Sequence, residues 1–328
     1  MAIIDKPSDY FNTSAVWSGD DSEHTISGIE HQPDFTWIKG VNIGTQHYLF
    51  DSVRGATKIL ISNGTNAEFT VAQTLKSWNS DGFVLGTSDD VNGSGRTYIA
   101  WNWKESATAG FDILTYEGSG SAQTISHNLG VKPDVIIVKN IDSSDPPFNW
   151  RVYHSSLGAG VALKLNGTDA IDDDPGYWND TEPTSSVFSV KDSGETNNSG
   201  QTYIAYLFAE KQGYSKFGSY TGNGNADGTF VYTGFKPAFV IAKESSEARD
   251  WQLWDNKRLG YNASGGNKNL IPNKTDAEDT YADIDILSNG FKLRNSSAAA
   301  NKVSQTYIYM AFAENPFVTS TGVPATAR

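Results

Sequence analysis

The sequence contains no cysteine among its 328 residues. Disulfide bonds, thiolate metal sites and cysteine nucleophiles are therefore excluded. Long apolar runs are also missing, since no segment approaches the length of a membrane span, and the first residues lack the basic and apolar regions of a signal peptide. We therefore expect synthesis in the cytosol without insertion into a membrane.

Basic residues are scarce relative to acidic ones. The chain has 25 Lys and Arg against 38 Asp and Glu, which gives a net charge of -13 at pH 7. A phosphate backbone would repel such a chain, so nucleic acid is not expected as a partner. Helical periodicity is lacking as well, whereas aromatic residues make up 12% of the sequence and glycines number 31. This composition is typical of an all-β protein with short strands, many turns and aromatic cores.

One nine-residue segment occurs three times along the chain. It begins at Thr97, Thr202 and Thr306, so its copies are 105 and 104 residues apart. Two further elements recur in step with it. One is a strand that follows a proline and ends in lysine (Pro33 to Lys39, Pro133 to Lys139, Pro237 to Lys243), and the other is an Asn-rich turn (Asn63 to Ala67, Asn166 to Ala170, Asn273 to Ala277). A period of this length is that of a small domain.

The repeat predicts three tandem β-sandwich modules of the jelly-roll or lectin-like type. Their predicted bounds are 14–105 for module 1, 111–210 for module 2 and 216–314 for module 3, with linkers at 106–110 and 211–215. Residues 1–13 are expected to form an N-terminal arm outside the core, and residues 315–328 an extended C-terminal tail. We predict assembly contacts with neighbouring molecules at Tyr10 and Phe11 in the arm and at Phe317 in the tail.

Motifs for catalysis or metal binding are missing. The acidic clusters Asp89–Asp90 and Asp172–Asp174 lie in predicted loops and lack the alternation that aims two carboxylates from one strand, and the five histidines have no metal-ligand spacing. We therefore predict no catalytic residue, no enzymatic activity and no cofactor. A calcium loop at Asp89, Asp90 and Asn92 remains as an alternative, because hard oxygen ligands cluster there, although no glutamate follows at the twelfth position.

Carbohydrate binding is the chemistry that the aromatic residues favour. Aromatic rings stack on the CH faces of sugars, and Asp, Asn and Arg side chains bind hydroxyl groups. The predicted ligand-binding residues lie near loops or beside a segment that varies among the repeats: Asp51, Arg54, Trp150, Trp251, Trp254 and Asp255. The alternative is that these aromatic residues fill three small cores. The net negative charge favours neutral or cationic glycans over acidic ones.

Four segments of module 1 carry a family resemblance. They are Gln-Pro-Asp-Phe-Thr-Trp-Ile-Lys (32–39), Phe-Asp-Ser-Val-Arg-Gly-Ala-Thr-Lys (50–58), Ser-Asp-Gly-Phe-Val-Leu-Gly (80–86) and Thr-Tyr-Ile-Ala-Trp-Asn-Trp-Lys (97–104). This series resembles a repeat module found in virion proteins of tailed bacteriophages, especially marine ones. The segments 6–12 and 311–317 fit the same group. Modules 2 and 3 match mainly at the strand that follows the proline and at the last strand.

The resemblance implies a lectin-like β-sandwich protein on the virion surface. Proteins of this group are described as tail-fibre, receptor-binding or structural proteins, and the resemblance supplies no catalytic residue. We therefore expect a non-enzymatic attachment component that forms a homo-oligomer such as a trimer, contacts other virion proteins and binds host surface glycans.

Two alternative functions stay open. One is a capsid or tail decoration protein without a ligand, and the other is a glycan depolymerase with two carboxylates about 5 to 10 Å apart. Exposed aromatic residues at one tip would favour attachment, whereas buried aromatic residues with extended termini would favour decoration.

Overall fold

The structure is a computed structural model that describes residues 3–142, 146–258, 262 and 267–324. The outer ends of the predicted arm and tail, residues 1–2 and 325–328, lie outside the described residues. Strands predominate, and helical structure in the described ranges is limited to a 3-10 turn (Pro7–Asp9) and the four-residue helices α1 (Asp89–Asn92) and α2 (Gly194–Asn197). The all-β prediction is confirmed. Within the same ranges, no helix has the length and apolar character needed to cross a membrane.

The strands follow the three repeats. Module 1 contains β1 (Phe11–Thr13), β2 (Trp17–Ser18), β3 (His24–Ile26), β4 (Phe35–Gly40), β5 (His47–Asp51), β6 (Lys58–Ile61), β7 (Phe69–Thr70), β8 (Leu75–Asn79), β9 (Gly82–Leu85) and β10 (Thr97–Trp103). Module 2 contains β11 (Phe111–Glu117), β12 (Gln123–Ser126), β13 (Val135–Asn140), β14 (Arg151–His154), β15 (Leu163–Lys164), β16 (Val187–Val190) and β17 (Thr202–Phe208). Module 3 contains β18 (Ser215–Thr221), β19 (Phe230–Tyr232), β20 (Phe235–Glu244), β21 (Gln252–Asp255), β22 (Ile284–Leu287), β23 (Gly290–Leu293) and β24 (Thr306–Pro316).

Each module pairs a main antiparallel sheet with a smaller outer sheet. The main sheets have the orders β1-β10-β4-β5-β6-β7, β11-β17-β13-β14-β15 and β18-β24-β20-β21. The outer sheets are β3-β9-β8, β12-β16 and β19-β23-β22. A separate apolar cluster lies between the two sheets of each module, so each module is a sandwich.

A fourth apolar cluster joins the three modules. Side chains alternate between the two faces of a strand, and the faces of the main sheets that point away from the outer sheets meet in one central core. Its large side chains come from all three repeats and include Trp37, Trp101, Trp103, Trp150, Tyr206, Phe208, Phe239, Trp251 and Phe312. The tandem modules are therefore packed around a shared core and are not strung out along the chain.

Three backbone hydrogen bonds close the modules into a ring. They run from Glu68 N to Ile141 O, from Ile171 N to Ser245 O and from Glu278 N to Val41 O, each at 2.9 Å. The donors occupy equivalent positions after the Asn-rich turn of each repeat, and the acceptors follow the recurring Pro-to-Lys strand. Module 1 thus binds module 2, module 2 binds module 3, and module 3 binds module 1.

The tyrosine of the repeated nine-residue segment holds the turn that precedes its strand. In module 2, the Tyr203 hydroxyl donates to Gly194 O at 2.6 Å and accepts from Asn198 N at 2.7 Å. Tyr98 and Tyr307 make the same pair of contacts in their modules. Each ring also stacks on an aromatic ring from the first part of its module, with centroid distances of 5.7, 5.1 and 5.1 Å for Trp17–Tyr98, Tyr116–Tyr203 and Tyr220–Tyr307.

The recurring lysines are buried. Lys39, Lys139 and Lys243 are each 0% exposed, and each ammonium donates to the carbonyl oxygen of the following residue. Lys39 and Lys139 also reach a carbonyl of the neighbouring module, Thr275 O at 3.3 Å and Thr65 O at 3.2 Å. Burial lowers the pKa of Lys39 to about 7 and the pKa values of Lys139 and Lys243 to about 8.

The N-terminal segment departs from the sequence prediction. Phe11 is 1% exposed in the central core, where its ring lies 4.9 Å from that of Trp103, and β1 pairs with β10. Residues 11–13 therefore belong to the main sheet of module 1, and the prediction of an arm outside the core is wrong for them. The reason is that β1 supplies the strand that β11 and β18 supply in the other two modules.

The predicted linkers are tight turns. Ser106 and Phe111 exchange two backbone hydrogen bonds of 2.9 and 3.0 Å, and the turn at 211–215 buries Tyr214 completely. Pro237 also differs from Pro33 and Pro133, because it lies inside strand β20, where the register with β24 shifts on both sides of it. An irregularity of this kind tolerates the missing N–H of proline.

Candidate functional site

The predicted ligand-binding residues of module 1 are buried in an ion-pair network. Asp51 is 0% exposed and the Arg54 side chain 1% exposed, and Arg54 Nε lies 2.5 Å from Asp51 Oδ2. Arg54 Nη1 lies 3.4 Å from Glu68 Oε2, and the Tyr206 hydroxyl of module 2 donates to Asp51 Oδ2 at 2.7 Å. These side chains hold the boundary between two modules and are not accessible to a glycan from solvent.

The tryptophans predicted to bind a ligand are also buried and make contacts within the protein. Trp150 Nε1 donates to Ile61 O of module 1 at 2.9 Å, and Trp251 Nε1 donates to Lys164 O of module 2 at 2.8 Å. Trp254 is 0% exposed inside module 3, and Asp255 pairs with Arg258 at 2.6 Å. The expectation that these residues line a ligand site is not supported by their burial, because the core takes the largest rings of each repeat.

The proposed calcium ligands are engaged by protein groups. Asp90 accepts from the Tyr48 hydroxyl at 2.5 Å, and Asp89 pairs with Arg96 at 3.0 Å. Asn92 is 0% exposed and fixes the turn at residues 20–22 through its amide. Among the described residues, no group of three or more His, Asp or Glu side chains could hold a metal ion. The asparagines at positions 92, 197 and 301 are equivalent, which gives them a role in turn structure.

The predicted assembly residues all contact other parts of their own chain. Phe11 is in the core, as described above, and the half-buried Tyr10 ring lies 6.1 Å from that of Tyr214. Phe317 is half-buried, and its backbone N donates to Gly234 O at 3.2 Å. Phe317 also lines an open cleft, so it is the one predicted contact residue that lies at a candidate site.

This cleft lies at the boundary of modules 2 and 3 and has a volume of about 870 Å³. Val131, Tyr232 and Phe317 provide apolar surface in the cleft. Tyr232 is the most exposed of the three, at 58%. The N-terminal segment forms part of the wall, where Ile4 N donates to Gln212 O at 3.1 Å. A Cβ atom at Gly213 would lie 2.7 Å from the Ile3 side chain, so glycine permits this close approach.

Charged side chains of both signs line the rest of the cleft. They are Lys132, Asp134, Glu210 and Lys216. Asp134 Oδ2 accepts from Glu210 N at 2.8 Å, and Lys216 Nζ lies 2.7 Å from Glu210 Oε1. The lining residues include two lysines and two carboxylates, so neither sign of charge dominates the lining although the whole chain is strongly acidic.

A third carboxylate, Glu182, holds Lys132 at the cleft margin. The Lys132 ammonium lies 2.5 Å from Glu182 Oε2, which also accepts from the Tyr153 hydroxyl at 2.7 Å. Burial acts to raise the pKa of Glu182, but the hydrogen bonds from Lys132 and Tyr153 lower it below its ordinary value. Glu182 therefore stays ionised and fixes Lys132 beside the cleft.

The arrangement can stack a ring and hydrogen-bond to several hydroxyl groups. Tyr232 and Phe317 offer aromatic surface, and ammonium and carboxylate groups stand beside them. The sequence reasoning missed Tyr232, but a comparison of repeats contains a signal for it. In the strand Phe-Val-Tyr of module 3, Tyr232 stands where module 1 has Ser27 and module 2 has Ser126.

The architecture defines an all-β protein with three sandwich repeats around one core. The chain belongs to the family described as Domain of unknown function (DUF7483), whose model matches residues 6–316. This single match spans all three modules, whereas Ile3 and Phe317 of the cleft lie just outside it. A comparison with curated proteins found no match.

Proposed function

We propose that this protein is a non-enzymatic attachment component on the surface of a bacteriophage particle, where it binds host surface glycans in the cleft between modules 2 and 3. The observation that carries the proposal is the exposed Tyr232 ring at a cleft of about 870 Å³. That volume lies within the range of about 300 to 1,000 Å³ found for ligand sites. The virion context rests on the sequence resemblance of module 1.

The charge of the cleft favours an uncharged glycan. Two lysines and two carboxylates line the cleft together with Tyr232 and Phe317, and they supply hydrogen-bond donors and acceptors. An acidic glycan would be attracted by the lysines but repelled by the carboxylates and by the net charge of -13. A neutral oligosaccharide meets no such repulsion.

The termini favour attachment over decoration. A decoration protein of the predicted kind would extend its ends onto neighbouring molecules. Here the described part of the N-terminal segment packs on its own chain through Ile4, and the Ser320 backbone N donates to Asp5 Oδ1 at 2.6 Å. The described parts of both terminal segments are thus engaged within the molecule.

The test is a glycan array with the purified protein, followed by calorimetry on the neutral oligosaccharides that bind. Tyr232→Ala is expected to weaken binding about tenfold, because a stacking surface is lost. Tyr281→Ala is the matched control, since Tyr281 is 64% exposed and does not line the cleft.

Three results would contradict the proposal. The first is an array without any bound glycan, and the second is equal affinity for the Tyr232→Ala variant and the original protein. The third is the release of shorter sugars on incubation, which would indicate a depolymerase. Electron microscopy of the particle tests the location, since a chain enclosed between capsid subunits would favour decoration.

A further inference from the structure

Strand β19 presents two aromatic rings to solvent on one face. Phe230 is 44% exposed and Tyr232 is 58% exposed, whereas Val231 between them is 6% exposed. This alternation places both rings on the outer face of the β19-β23-β22 sheet and Val231 in the core of module 3. The two rings are about 7 Å apart along the strand, because each residue advances the strand by about 3.3 Å.

The other two modules have no aromatic residue at these positions. Strands β3, β12 and β19 are equivalent, and each pairs with an equivalent strand of its own module. This pairing shows that Phe230 corresponds to Thr25 and Thr124, and that Tyr232 corresponds to Ser27 and Ser126. The sandwich therefore forms with small polar residues at both places. The aromatic pair is a property of module 3 and is not required by the fold.

Each ring lies across a glycine. A Cβ atom built at Gly290 would be 3.1 Å from Cε2 of Phe230, and one built at Gly234 would be 3.6 Å from the Tyr232 hydroxyl oxygen. Each ring thus has an atom close to a glycine backbone, while both residues stay largely exposed. Exposed rings of this kind offer a stacking surface, and an aromatic side chain has few rotatable bonds to order on binding.

Polar groups flank the Phe230 ring. Lys292 stands opposite Phe230 in the sheet and pairs with Asp227, and Arg294 Nε lies 3.1 Å from Asp285 Oδ2. The two ion pairs have no net charge. Their donors and acceptors suit the hydroxyl groups of a neutral sugar in the same way as those of the cleft.

We propose that this outer face of module 3 is a second sugar-stacking subsite, continuous with the cleft through Tyr232. Tyr232 lines the cleft and shares its strand face with Phe230. The ligand is therefore a neutral oligosaccharide with one part in the cleft and the next units on Phe230. This inference rests on the proposed function and specifies the length and the path of its ligand.

The test is calorimetry with cello-, malto- and chito-oligosaccharide ladders of about two to eight units. For the series that binds, affinity is expected to rise with length and to level off once both subsites are filled. Phe230→Ala is expected to lower the affinity for the longest ligands about tenfold. Its affinity for the shortest ligands that bind should be unchanged. Thr124→Ala, at the equivalent position of module 2, is the control and should change neither.

The outcomes separate the subsite from the proposed function. Binding of short and long ligands with equal affinity in the original protein, or an unchanged affinity of Phe230→Ala for long ligands, would overturn the subsite and leave the cleft intact. If no oligosaccharide of any ladder binds, both the subsite and its neutral-oligosaccharide ligand are contradicted. The glycan array then tests separately whether the cleft binds another glycan. A weakening of short and long ligands alike by Phe230→Ala would also contradict two separate subsites.

Discussion

Modules 1 and 3 bury an Asp-Arg-Glu network at a position where module 2 has none. In module 3, Arg258 lies 2.6 Å from Asp255 and 3.5 Å from Glu278, which repeats the contacts of Arg54 in module 1. The corresponding residues of module 2 are His154, Leu157 and Ile171. The pairing of the strands that carry these residues (β4 with β5, β13 with β14, β20 with β21) and the ring of backbone hydrogen bonds are common to all three modules.

This difference shows which properties the fold requires at the first of these three positions, which is Asp51, His154 or Asp255. In each module the first residue accepts a hydrogen bond from a backbone N–H of the turn that follows it. Asp51 accepts from Arg54 N at 2.8 Å, Asp255 from Lys257 N at 2.9 Å, and His154 Nδ1 from Ser156 N at 3.1 Å. An acceptor and a filled volume are therefore needed, whereas the charges are not. Apolar replacement of a complete buried ion pair is often tolerated in proteins, but removal of one partner is not.

Among the substitutions that test this comparison, Arg54→Leu should have the largest effect on the free energy of unfolding. It copies Leu157 of module 2 but leaves the buried Asp51 carboxylate without its cation. We expect a loss of about 3 to 5 kcal/mol in the free energy of unfolding, measured by chemical denaturation. Lys58→Leu removes an exposed charge beside the same Glu68 and serves as the control, with an expected loss below about 1 kcal/mol. Similar losses for both variants would contradict the comparison.

Module 2 should respond to acid through His154. Burial lowers the pKa of His154 to about 4, although its hydrogen bond to Tyr309 O opposes the shift. The unfolded chain binds this proton near the ordinary pKa of 6.5, so stability is lost as the pH falls from about 6.5 to about 4. We expect His154 to account for about 3 kcal/mol of that loss. Denaturation at several pH values should show a flatter acid limb for His154→Gln, and an unchanged limb would contradict this assignment.

The complete exchange in module 1 should cost less than Arg54→Leu alone. Asp51→His, Arg54→Leu and Glu68→Ile together install the residues of module 2 and leave no buried charge unpaired. We expect a loss below about 1.5 kcal/mol, as for other volume-conserving changes. The measurement is the same denaturation experiment. A triple variant that is less stable than Arg54→Leu would show that module 1 depends on the charges themselves.

The smallest expected effect concerns the boundaries between modules. Glu105 stands beside Asp112, whereas the equivalent Glu210 pairs with Lys216. Burial, followed by the hydrogen bond with Asp112, raises the pKa of Glu105 to about 7. Because the folded pKa is the higher one, this group reduces stability as the pH rises from about 4.5 to about 7.

Glu105→Gln should therefore stabilise the protein at pH 8 by about 1 kcal/mol or less, since part of the side chain is solvated. Glu210→Gln is the matched variant and should not stabilise, because it breaks an ion pair. Thermal unfolding at pH 5 and pH 8 measures both, and equal effects at the two pH values would contradict the shift of Glu105.

The sequence allowed the strands to be predicted but not their arrangement. The strand expected in each Pro-to-Lys segment is present as β4 (Phe35–Gly40), β13 (Val135–Asn140) and β20 (Phe235–Glu244), because alternation and flanking turns are local signals. The shared core was not predicted, since the strand pattern does not tell which of two apolar faces meets another module. Trp150 and Trp251 illustrate this, because their apolar character fits a core and a sugar site equally well.

The candidate site depends on contacts between distant parts of the chain. Ile3, Val131, Tyr232 and Phe317 meet at one cleft although more than 300 residues separate the first from the last. No local pattern encodes that meeting. The sequence signal for Tyr232 is a difference between the repeats, because the other two repeats have serine at the equivalent position.

The bond from Glu278 N to Val41 O has a consequence for synthesis. A ribosome makes the chain from its N-terminus, so module 1 leaves it before residue 278 exists. Until then, the aromatic face that modules 1 and 2 contribute to the central core has no cover from module 3. Chains that stop before module 3 would leave this apolar face exposed and prone to aggregation, because residues 216–314 are the part of the chain that covers it.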